Sequence, residues 1–343
     1  GIDEFADIIE SFIRMDVDIP ASFFNKNLVR DNVLGCDTDS NLFTTENLVQ
    51  AYHKLEPGRI RFDQKAYEVN ALAVYFLSRS IEHVFARMST NLGCMKEDMD
   101  LISMKNEFLF VIFCRTNIAK HYAALITQQE GKRLPEAEIE AKGVNLIGST
   151  RAGEIVTRLK DFMRKTFDDI ISTHGQISAE EMLDHVADIE KELIQLFQSG
   201  DLSYLTMASI KPSGSYGDDT DKTSYFYYEL WEEVFSEHYR TNVVLPNRMF
   251  KIPVIGEDKL FKDPKFIEWM KAEYPELYVK LDDFITRKGR FPSYFLIPAG
   301  FDTIPEFFRK WLDIRRMVFD NLSPFYLFLS SFGISLAWQK HDL

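Results

Sequence analysis

The spacing of apolar residues changes near residue 148, and this change limits the folds that the chain can adopt. Upstream of it, short β-branched or aromatic stretches predict three strands, at residues 101–104, 108–114 and 122–127. Downstream, apolar residues recur at three- and four-residue spacing, which predicts a pair of antiparallel helices. Strands followed by a run of helices are typical of α+β proteins. We therefore predict an α+β fold, with one region at residues 1–148 and a second, mostly helical region at residues 149–343.

Helices are predicted on both sides of these strands. An amphipathic helix is expected at residues 2–13 and a longer one at residues 64–88. Ser178, followed three residues later by Glu181, forms a capping box that starts the second helix of the pair, with an apolar stripe ending at Leu196. The remaining predictions are a loop at residues 211–223, helices at 225–235, 264–273 and 275–285, a strand at 295–297, and two helices within 305–338.

Composition excludes several classes of protein. Of the 343 residues, 45% are apolar, so the chain can bury a core and is not intrinsically disordered. Its longest apolar run, residues 108–114, is far shorter than the ~20 residues needed to cross a bilayer, and the N-terminus does not resemble a signal peptide. Three cysteines without paired spacing exclude a zinc ribbon and a disulfide scaffold. We expect a soluble cytoplasmic protein with no membrane partner.

Two carboxylates occupy the tip of a predicted β-hairpin. The apolar pairs Val33-Leu34 and Leu42-Phe43 flank the tetrapeptide Asp37-Thr38-Asp39-Ser40. Like charges two positions apart are costly unless a cation compensates them, and hard carboxylate oxygens favour Mg²⁺ or Mn²⁺. An EF-hand calcium loop is excluded, because Leu42 and Leu48 stand where that loop needs Gly and Glu. An ordinary acidic turn remains the alternative.

The motifs after the hairpin follow a particular order. Met104-Lys105-Asn106-Glu107 leads into a strand, and Lys120-His121-Tyr122 and then Lys142-Gly143 come next. Further on, Phe295-Leu296-Ile297-Pro298-Ala299-Gly300 precedes helices that contain Trp311-Leu312-Asp313. In this order the chain resembles the family B DNA polymerases. Its pattern is most similar to that of the T-even-like phage replicative polymerases.

This resemblance implies a two-metal site for templated nucleotidyl transfer. Residues 1–148 would be the C-terminal part of the palm and residues 149–343 the thumb. Asp39, with Asp37 on the same turn, would be catalytic and bind two Mg²⁺ ions, for which Mn²⁺ can substitute. Glu107 would be an auxiliary carboxylate at the metals. The implied substrates are primer-template DNA and deoxynucleoside triphosphates, in the cytoplasm of an infected host cell if the chain is viral.

Basic residues indicate where DNA would bind. Lys120 and Tyr122 alternate along a predicted strand and would share one face of it, where a cation and a phenol can contact the duplex backbone. Arg151, Arg158 and Lys165 are spaced by seven residues and would line one side of a helix, with a solvated stripe as the alternative. Together with one further lysine, these give six predicted DNA-binding residues: Lys120, Tyr122, Lys142, Arg151, Arg158 and Lys165.

Two polymerase motifs are absent from the 343 residues. They are the Ser-Leu-Tyr-Pro-Ser palm motif with its metal-binding Asp, and the nucleotide-binding Lys-x-x-x-Asn-Ser-x-Tyr-Gly helix. The similar stretch at residues 211–217 contains Pro and Gly where a helix is required, so we predict a loop there. We therefore expect a C-terminal polymerase subunit or fragment, inactive alone, that pairs with a second chain carrying the exonuclease, the first palm Asp and the nucleotide-binding helix. A sliding clamp is a further candidate partner, and the alternative function is a noncatalytic duplex-DNA-binding module with a polymerase-like thumb.

Overall fold

The computed structural model of the chain describes residues 33–36, 40–55, 61–101, 104–148, 151–217, 223–256 and 259–335. The predicted helix at residues 2–13 and the hairpin carboxylates Asp37 and Asp39 lie outside these described residues. Helices and small β-sheets make up the described structure, which confirms the α+β prediction. Within the same ranges, no helix combines the length and the apolar character that a bilayer crossing requires.

The chain folds into two compact units, and each unit is assembled from separate stretches of sequence. Unit 1 contains Gly1–Phe113, Ala124–Glu140 and Arg164–Ile177. Unit 2 contains Cys114–Ala123, Ala141–Met163 and Ser178–Leu343. The assignment of a palm and a thumb that meet near residue 148 stays a prediction.

An antiparallel hairpin opens the described part of unit 1. Strand β1 (Val33–Cys36) pairs with strand β2 (Asn41–Phe43), and Cys36 lies opposite Asn41. The pairing confirms the two strands of the predicted hairpin.

Two helices follow the hairpin in unit 1. Helix α1 (Glu46–His53) precedes helix α2 (Gln64–Asn91), which confirms and extends the helix predicted at residues 64–88. The Asp63 carboxylate caps α2 by accepting a hydrogen bond from the Ala66 N–H at 2.9 Å. Several large apolar side chains of α2 are more than a third exposed: Leu72, Phe76, Leu77, Val84 and Met88.

A three-stranded sheet follows, in the order β3-β4-β5. Its strands are β3 (Phe108–Arg115), β4 (Tyr122–Gln129) and β5 (Lys132–Lys142). Strands β3 and β4 confirm two of the three strands predicted in this region. Glu130 and Gly131 have φ angles of 50° and 75°. Positive φ at both residues of a two-residue loop is the signature of a type I′ turn, so β4 and β5 form an antiparallel hairpin.

The strand predicted at residues 101–104 is wrong. Leu101 ends a 3₁₀ helix, Lys96–Leu101, and Met104 belongs to no strand. The helix carries Glu97 and Asp98, residue types that are disfavoured in strands, and this local preference outweighs the apolar character of the segment.

Three helices follow the sheet along the chain, and the boundary between the units at residues 163 and 164 falls inside the second of them. Helix α3 (Val144–Ile147) is short, and α4 (Gly153–Ser172) and α5 (Ala179–Ser199) are the two predicted long helices. Ser178 caps α5 as predicted, because its Oγ accepts a hydrogen bond from the Glu181 N–H at 3.2 Å. The buried stripe of α5 consists of Met182, Val186, Ile189, Leu193 and Phe197. Phe197 therefore ends the stripe in place of the predicted Leu196, because it continues the four-residue spacing from Leu193.

An antiparallel sheet that the sequence pattern did not reveal lies in unit 2. It has the order β6-β7-β8 and consists of β6 (Met207–Ile210), β7 (Asn247–Pro253) and β8 (Tyr294–Pro298). The register places Lys251 opposite Leu296 and Pro253 opposite Tyr294. Only β8 was predicted, and β6 and β7 lie in stretches for which no element was predicted.

The helices around this sheet largely match the prediction. Helix α6 (Tyr225–Leu230) continues through a π-helical turn, Trp231–Phe235, into α7 (Ser236–Tyr239), and the motif-like stretch at residues 211–217 holds only a 3₁₀ turn. The remaining helices are α8 (Lys259–Lys262), α9 (Pro264–Glu273), α10 (Pro275–Lys288), α11 (Glu306–Arg309) and α12 (Ile314–Ser330).

Aromatic side chains fix the sheet to these helices. The buried ring of Phe295 on β8 lies 5.2 to 5.6 Å, between ring centroids, from Phe235, Phe308 and Trp311. Aromatic pairs at such distances contribute packing beyond their buried area. These contacts pack the β6-β7-β8 sheet firmly against the neighbouring helices.

Candidate nucleic-acid interface

The predicted metal-binding residues are only partly described. Asp37 and Asp39 lie outside the described residues. Glu107 is exposed immediately before β3, and its carbonyl oxygen accepts a hydrogen bond from the Glu130 N–H at 2.7 Å. Within the described ranges, no group of three or more His, Cys, Asp or Glu side chains is arranged to hold a metal ion. The two-metal site stays a prediction.

The Lys-His-Tyr and Lys-Gly motifs meet through His121. The β4-β5 hairpin places the start of β4 beside the end of β5, so these two motifs lie at the same end of the sheet. His121 is only 8% exposed. Its Nε2 accepts a hydrogen bond from the Asn145 N–H at 3.2 Å, and its Nδ1 lies 2.9 Å from the Ala119 carbonyl oxygen. This arrangement requires the neutral imidazole with its proton on Nδ1.

The His121 ring leaves no room for a side chain at Gly143. Its φ is +116°, a conformation that L side chains rarely adopt, and a Cβ built there would overlap Cγ and Cδ2 of His121 and lie 2.8 Å from Nε2. Only glycine allows the backbone to pass so close to the ring. We call the contact of His121, Gly143 and Asn145 the His121 junction.

The junction determines where three predicted DNA-binding residues lie. Lys120 is exposed in the turn before β4 with φ of 60°, so it does not share a strand face with the half-buried Tyr122 as expected. Lys142 is exposed and is the last residue of β5. Lys120 and Tyr122 are the sequence neighbours of His121, and Lys142 is the sequence neighbour of Gly143. The junction therefore holds all three residues at one end of the sheet.

Arg151 has a different environment from the one predicted. It precedes α4, which begins at Gly153, so it does not belong to the helix. Its guanidinium donates hydrogen bonds to the carbonyl oxygens of Asp320 and Asn145, both at 2.8 Å, and to Ser323 Oγ at 3.4 Å. Burial lowers the pKa of Arg151, and the charge of Asp320 opposes that shift. The side chain therefore connects two segments of unit 2.

Arg158 and Lys165 lie on α4, and both make intramolecular ion pairs. The Arg158 guanidinium donates to both carboxylate oxygens of Glu192 at 2.6 and 2.7 Å, and it lies 5.3 Å from the ring centroid of Tyr204. The hydrogen bonds to Glu192 raise the pKa of Arg158. The Lys165 ammonium lies 2.9 Å from Asp169, and its side chain is 59% exposed. Lys165 is thus the more accessible of the two cations.

The sequence did not single out His121 or Asn145. A buried polar ring needs partners for both of its nitrogens, but the position of His121 between Lys120 and Tyr122 does not indicate that its ring is buried. The available signal was the glycine after Lys142, because a glycine at the end of a strand often marks close approach by another group.

The family model for divergent family B DNA polymerases matches residues 1–342 of the chain. The chain therefore belongs to the divergent family B DNA polymerases. No curated protein matches it.

Proposed function

We propose that the chain is the C-terminal palm and thumb part of a DNA-directed DNA polymerase that performs templated nucleotidyl transfer, with its pattern closest to the T-even-like phage replicative enzymes. The observation that carries this proposal is the family match over residues 1–342. The pairing of β1 with β2, the strands that flank Asp-Thr-Asp-Ser in the sequence, supports it.

The hairpin carboxylates would hold the metal ions. Asp39 and Asp37 offer hard oxygen ligands, which suit Mg²⁺ or Mn²⁺, and Glu107 is exposed and accessible for an auxiliary role. When bound, two such ions would activate the primer hydroxyl and stabilise the departing pyrophosphate. The protein's part is to orient these carboxylates and to hold the primer-template in line with them.

The DNA backbone would lie against the sheet end at the His121 junction. Lys120 and Lys142 are exposed there, and Tyr122 offers a hydroxyl that can bond to sugar or phosphate. Lys165 would add a phosphate contact from α4. Arg151 and Arg158 already bond within the chain, so we assign them to holding their own segments in place and expect Arg158 to reach DNA only by releasing Glu192.

A second polypeptide segment would complete the enzyme. The 343 residues lack the first palm Asp and the nucleotide-binding helix, while α2 leaves Phe76, Val84 and Met88 exposed. Apolar side chains clustered on one exposed helix often mark an interface. We propose that the missing palm and exonuclease segments pack on α2, whether they come from a second chain or from further sequence.

Substitution of Asp39 tests the proposed chemistry. The complementary polymerase segments are supplied, and primer extension and primer-template binding are measured for Asp39→Asn. We expect extension to fall by at least about 10³-fold with binding within about twofold, because the metals act in the chemical step. The exposed Asp302→Asn is the matched control and should extend normally. Undiminished extension by Asp39→Asn would refute the metal assignment.

The second candidate function is noncatalytic binding of duplex DNA. It rests on Lys120 and Lys142, which are exposed and would contact the DNA backbone without a metal ion. A titration with Mg²⁺ and Mn²⁺ in the presence of the complementary segments distinguishes the two functions. A polymerase requires metal for extension, whereas a binding module retains DNA affinity but shows no metal-dependent extension.

A further inference from the structure

Two cations meet where strand β7 joins helix α12 in unit 2. The Asp313 N–H donates a hydrogen bond to the Pro253 carbonyl oxygen at 3.0 Å, and Ile255 N–H donates to the Trp311 carbonyl oxygen at 2.9 Å. These bonds fix the start of α12 to the end of β7. Lys251 lies two residues before Pro253 on β7, and Arg316 lies on the first turn of α12, where its N–H is capped by the Asp313 carboxylate.

Two stacked aromatic rings pack against the Lys251 side chain. Its Nζ lies 4.4 Å from the ring centroid of Tyr294, which stands opposite Pro253 on the neighbouring strand. The Tyr294 ring in turn stacks on Tyr227 with the centroids 3.5 Å apart. The Tyr227 hydroxyl is within 2.9 Å of Ser293 Oγ. The ammonium group is thus held over a rigid aromatic surface.

Neither cation has a close anionic partner among the residues that the structure describes. The Lys251 ammonium and the Arg316 guanidinium make no ion pair or side-chain hydrogen bond within those ranges, although both side chains are half-buried. Burial and, to a smaller extent, the charge of Arg316 lower the pKa of Lys251, while the charge of Asp320 opposes that shift. Two like charges that are partly withdrawn from water repel each other, so the folded chain bears a cost at this position.

One carboxylate lies nearby without pairing with them. Asp320, one helical turn beyond Arg316, is also half-buried, and burial raises its pKa while the charges of Arg316, Lys251 and Arg151 act to lower it. The carboxylate reduces the positive potential but forms no ion pair with either cation within the described residues. Both cations therefore retain their hydrogen-bond donors for a ligand.

We propose that Lys251, Arg316 and the Tyr294 hydroxyl form a binding site for a phosphate group. A guanidinium presents a planar fork that matches two phosphate oxygens, and an ammonium acts as a point charge beside it. Burial raises the pKa of Tyr294, so its hydroxyl stays protonated and can donate. The phosphate belongs either to a nucleic-acid backbone or to a free polyphosphate, and this site adds to the contacts proposed at the His121 junction without depending on catalysis.

The test compares two pairs of charge-removing substitutions in the full chain. Binding of a short DNA duplex is measured by fluorescence anisotropy over a range of salt concentrations, and binding of inorganic tripolyphosphate by calorimetry. The test variant is Lys251→Gln with Arg316→Gln. The control is Lys280→Gln with Arg287→Gln, which removes the same two charges from cations already paired with Glu237 and Glu233.

We expect the test variant to lose about tenfold in DNA affinity and the slope of log K against log salt to become shallower by about one, since each neutralised phosphate contributes about 0.9. The control should change affinity by less than about twofold. If the wild-type chain binds tripolyphosphate and the test variant does not, the site accepts any phosphate. If the wild-type chain binds DNA but no tripolyphosphate, the site is specific for the DNA backbone.

A third variant separates binding from folding. Asp320→Asn removes a half-buried carboxylate whose charge acts on both cations, so it should tighten DNA binding severalfold. A misfolded protein would not produce such a gain. The proposal fails if the test variant and the control bind equally well with equal salt slopes, or if Asp320→Asn leaves affinity unchanged.

Discussion

The imidazole of His121 fills the space into which a side chain at residue 143 would project. This relationship couples the Lys-His-Tyr and Lys-Gly motifs, which are separated by a hairpin along the chain. The ring also satisfies the Asn145 N–H, so the contact provides both close packing and hydrogen bonding. The spacing of the two lysines around the junction therefore depends on one glycine.

Replacement of Gly143 by alanine should destabilise the chain strongly. The added methyl group meets the His121 ring in a backbone conformation that alanine disfavours, and we expect a loss of about 3 kcal/mol in the free energy of unfolding. Denaturant unfolding followed by circular dichroism measures this loss. Gly131→Ala is the control, because its φ is +75° with nothing within 4 Å of a Cβ, and it should cost only about 1 kcal/mol. Equal losses would contradict the steric explanation.

The Arg158–Glu192 ion pair should make a small, pH-dependent contribution to stability. Because the side chains are 32% and 46% exposed, Arg158→Ala should cost only about 1 kcal/mol at pH 7. Hydrogen bonding to Arg158 lowers the pKa of Glu192, so the contribution is complete above the pKa of an unfolded glutamate and is lost as the pH falls through the lower folded value.

Unfolding at several pH values measures this contribution. The difference in stability between wild type and Arg158→Ala should be constant above about pH 5.5 and shrink below about pH 4.5. Lys191→Ala removes a more exposed ion pair with Asp188 and serves as the control, with an expected cost below about 0.3 kcal/mol. A difference that grows as the pH falls would contradict the assigned direction.

The N-cap of α5 should contribute a measurable part of the stability. Ser178→Ala removes the acceptor of the Glu181 N–H, and we expect a loss of about 1 kcal/mol in the free energy of unfolding. Ser178→Asp retains an acceptor and should restore most of it. A loss that aspartate does not restore would mean that the serine acts through packing.

Two cysteines should differ in reactivity. Burial raises the pKa of the Cys114 thiol to about 12, so only about one molecule in ten thousand carries the reactive thiolate at pH 8. Cys94 is exposed. Iodoacetamide at pH 8, followed by peptide mapping, should modify Cys94 first and Cys114 only after unfolding in denaturant. Similar rates in the native protein would show that Cys114 is accessible.

Local sequence signals predicted the elements that depend on local physics. The capping box at Ser178, the long periodic helix α2 and the paired strands β1 and β2 each contain their own determinants within a few residues. Strands β6 and β7 were missed because Met207–Ile210 and Asn247–Pro253 are short and are defined by pairing with distant β8. Strand β5 was also not predicted, because it carries Pro135 and many charges. Such a sequence is accommodated as a strand only at the edge of a sheet, which is where β5 lies.

The partners of individual side chains depended on tertiary structure. The seven-residue spacing of Arg151, Arg158 and Lys165 suggested one exposed stripe, but Arg151 lies before the helix and bonds to a segment far along the sequence. Lys251 and Arg316 were not predicted at all, because 64 residues separate them and only the β7-α12 connection brings them to one place. Sequence spacing reports proximity within an element and not between elements.

The interleaving of the two units governs how the protein can form during translation. Unit 1 begins with the first 113 residues but includes Arg164–Ile177, so its last stretch emerges from the ribosome only after parts of unit 2 have been made. Neither unit can finish folding as a nascent chain before residue 177 has left the exit tunnel. Nascent unit 1 must therefore stay incomplete, with apolar surface open to chaperones, for a longer interval than a domain encoded without interruption.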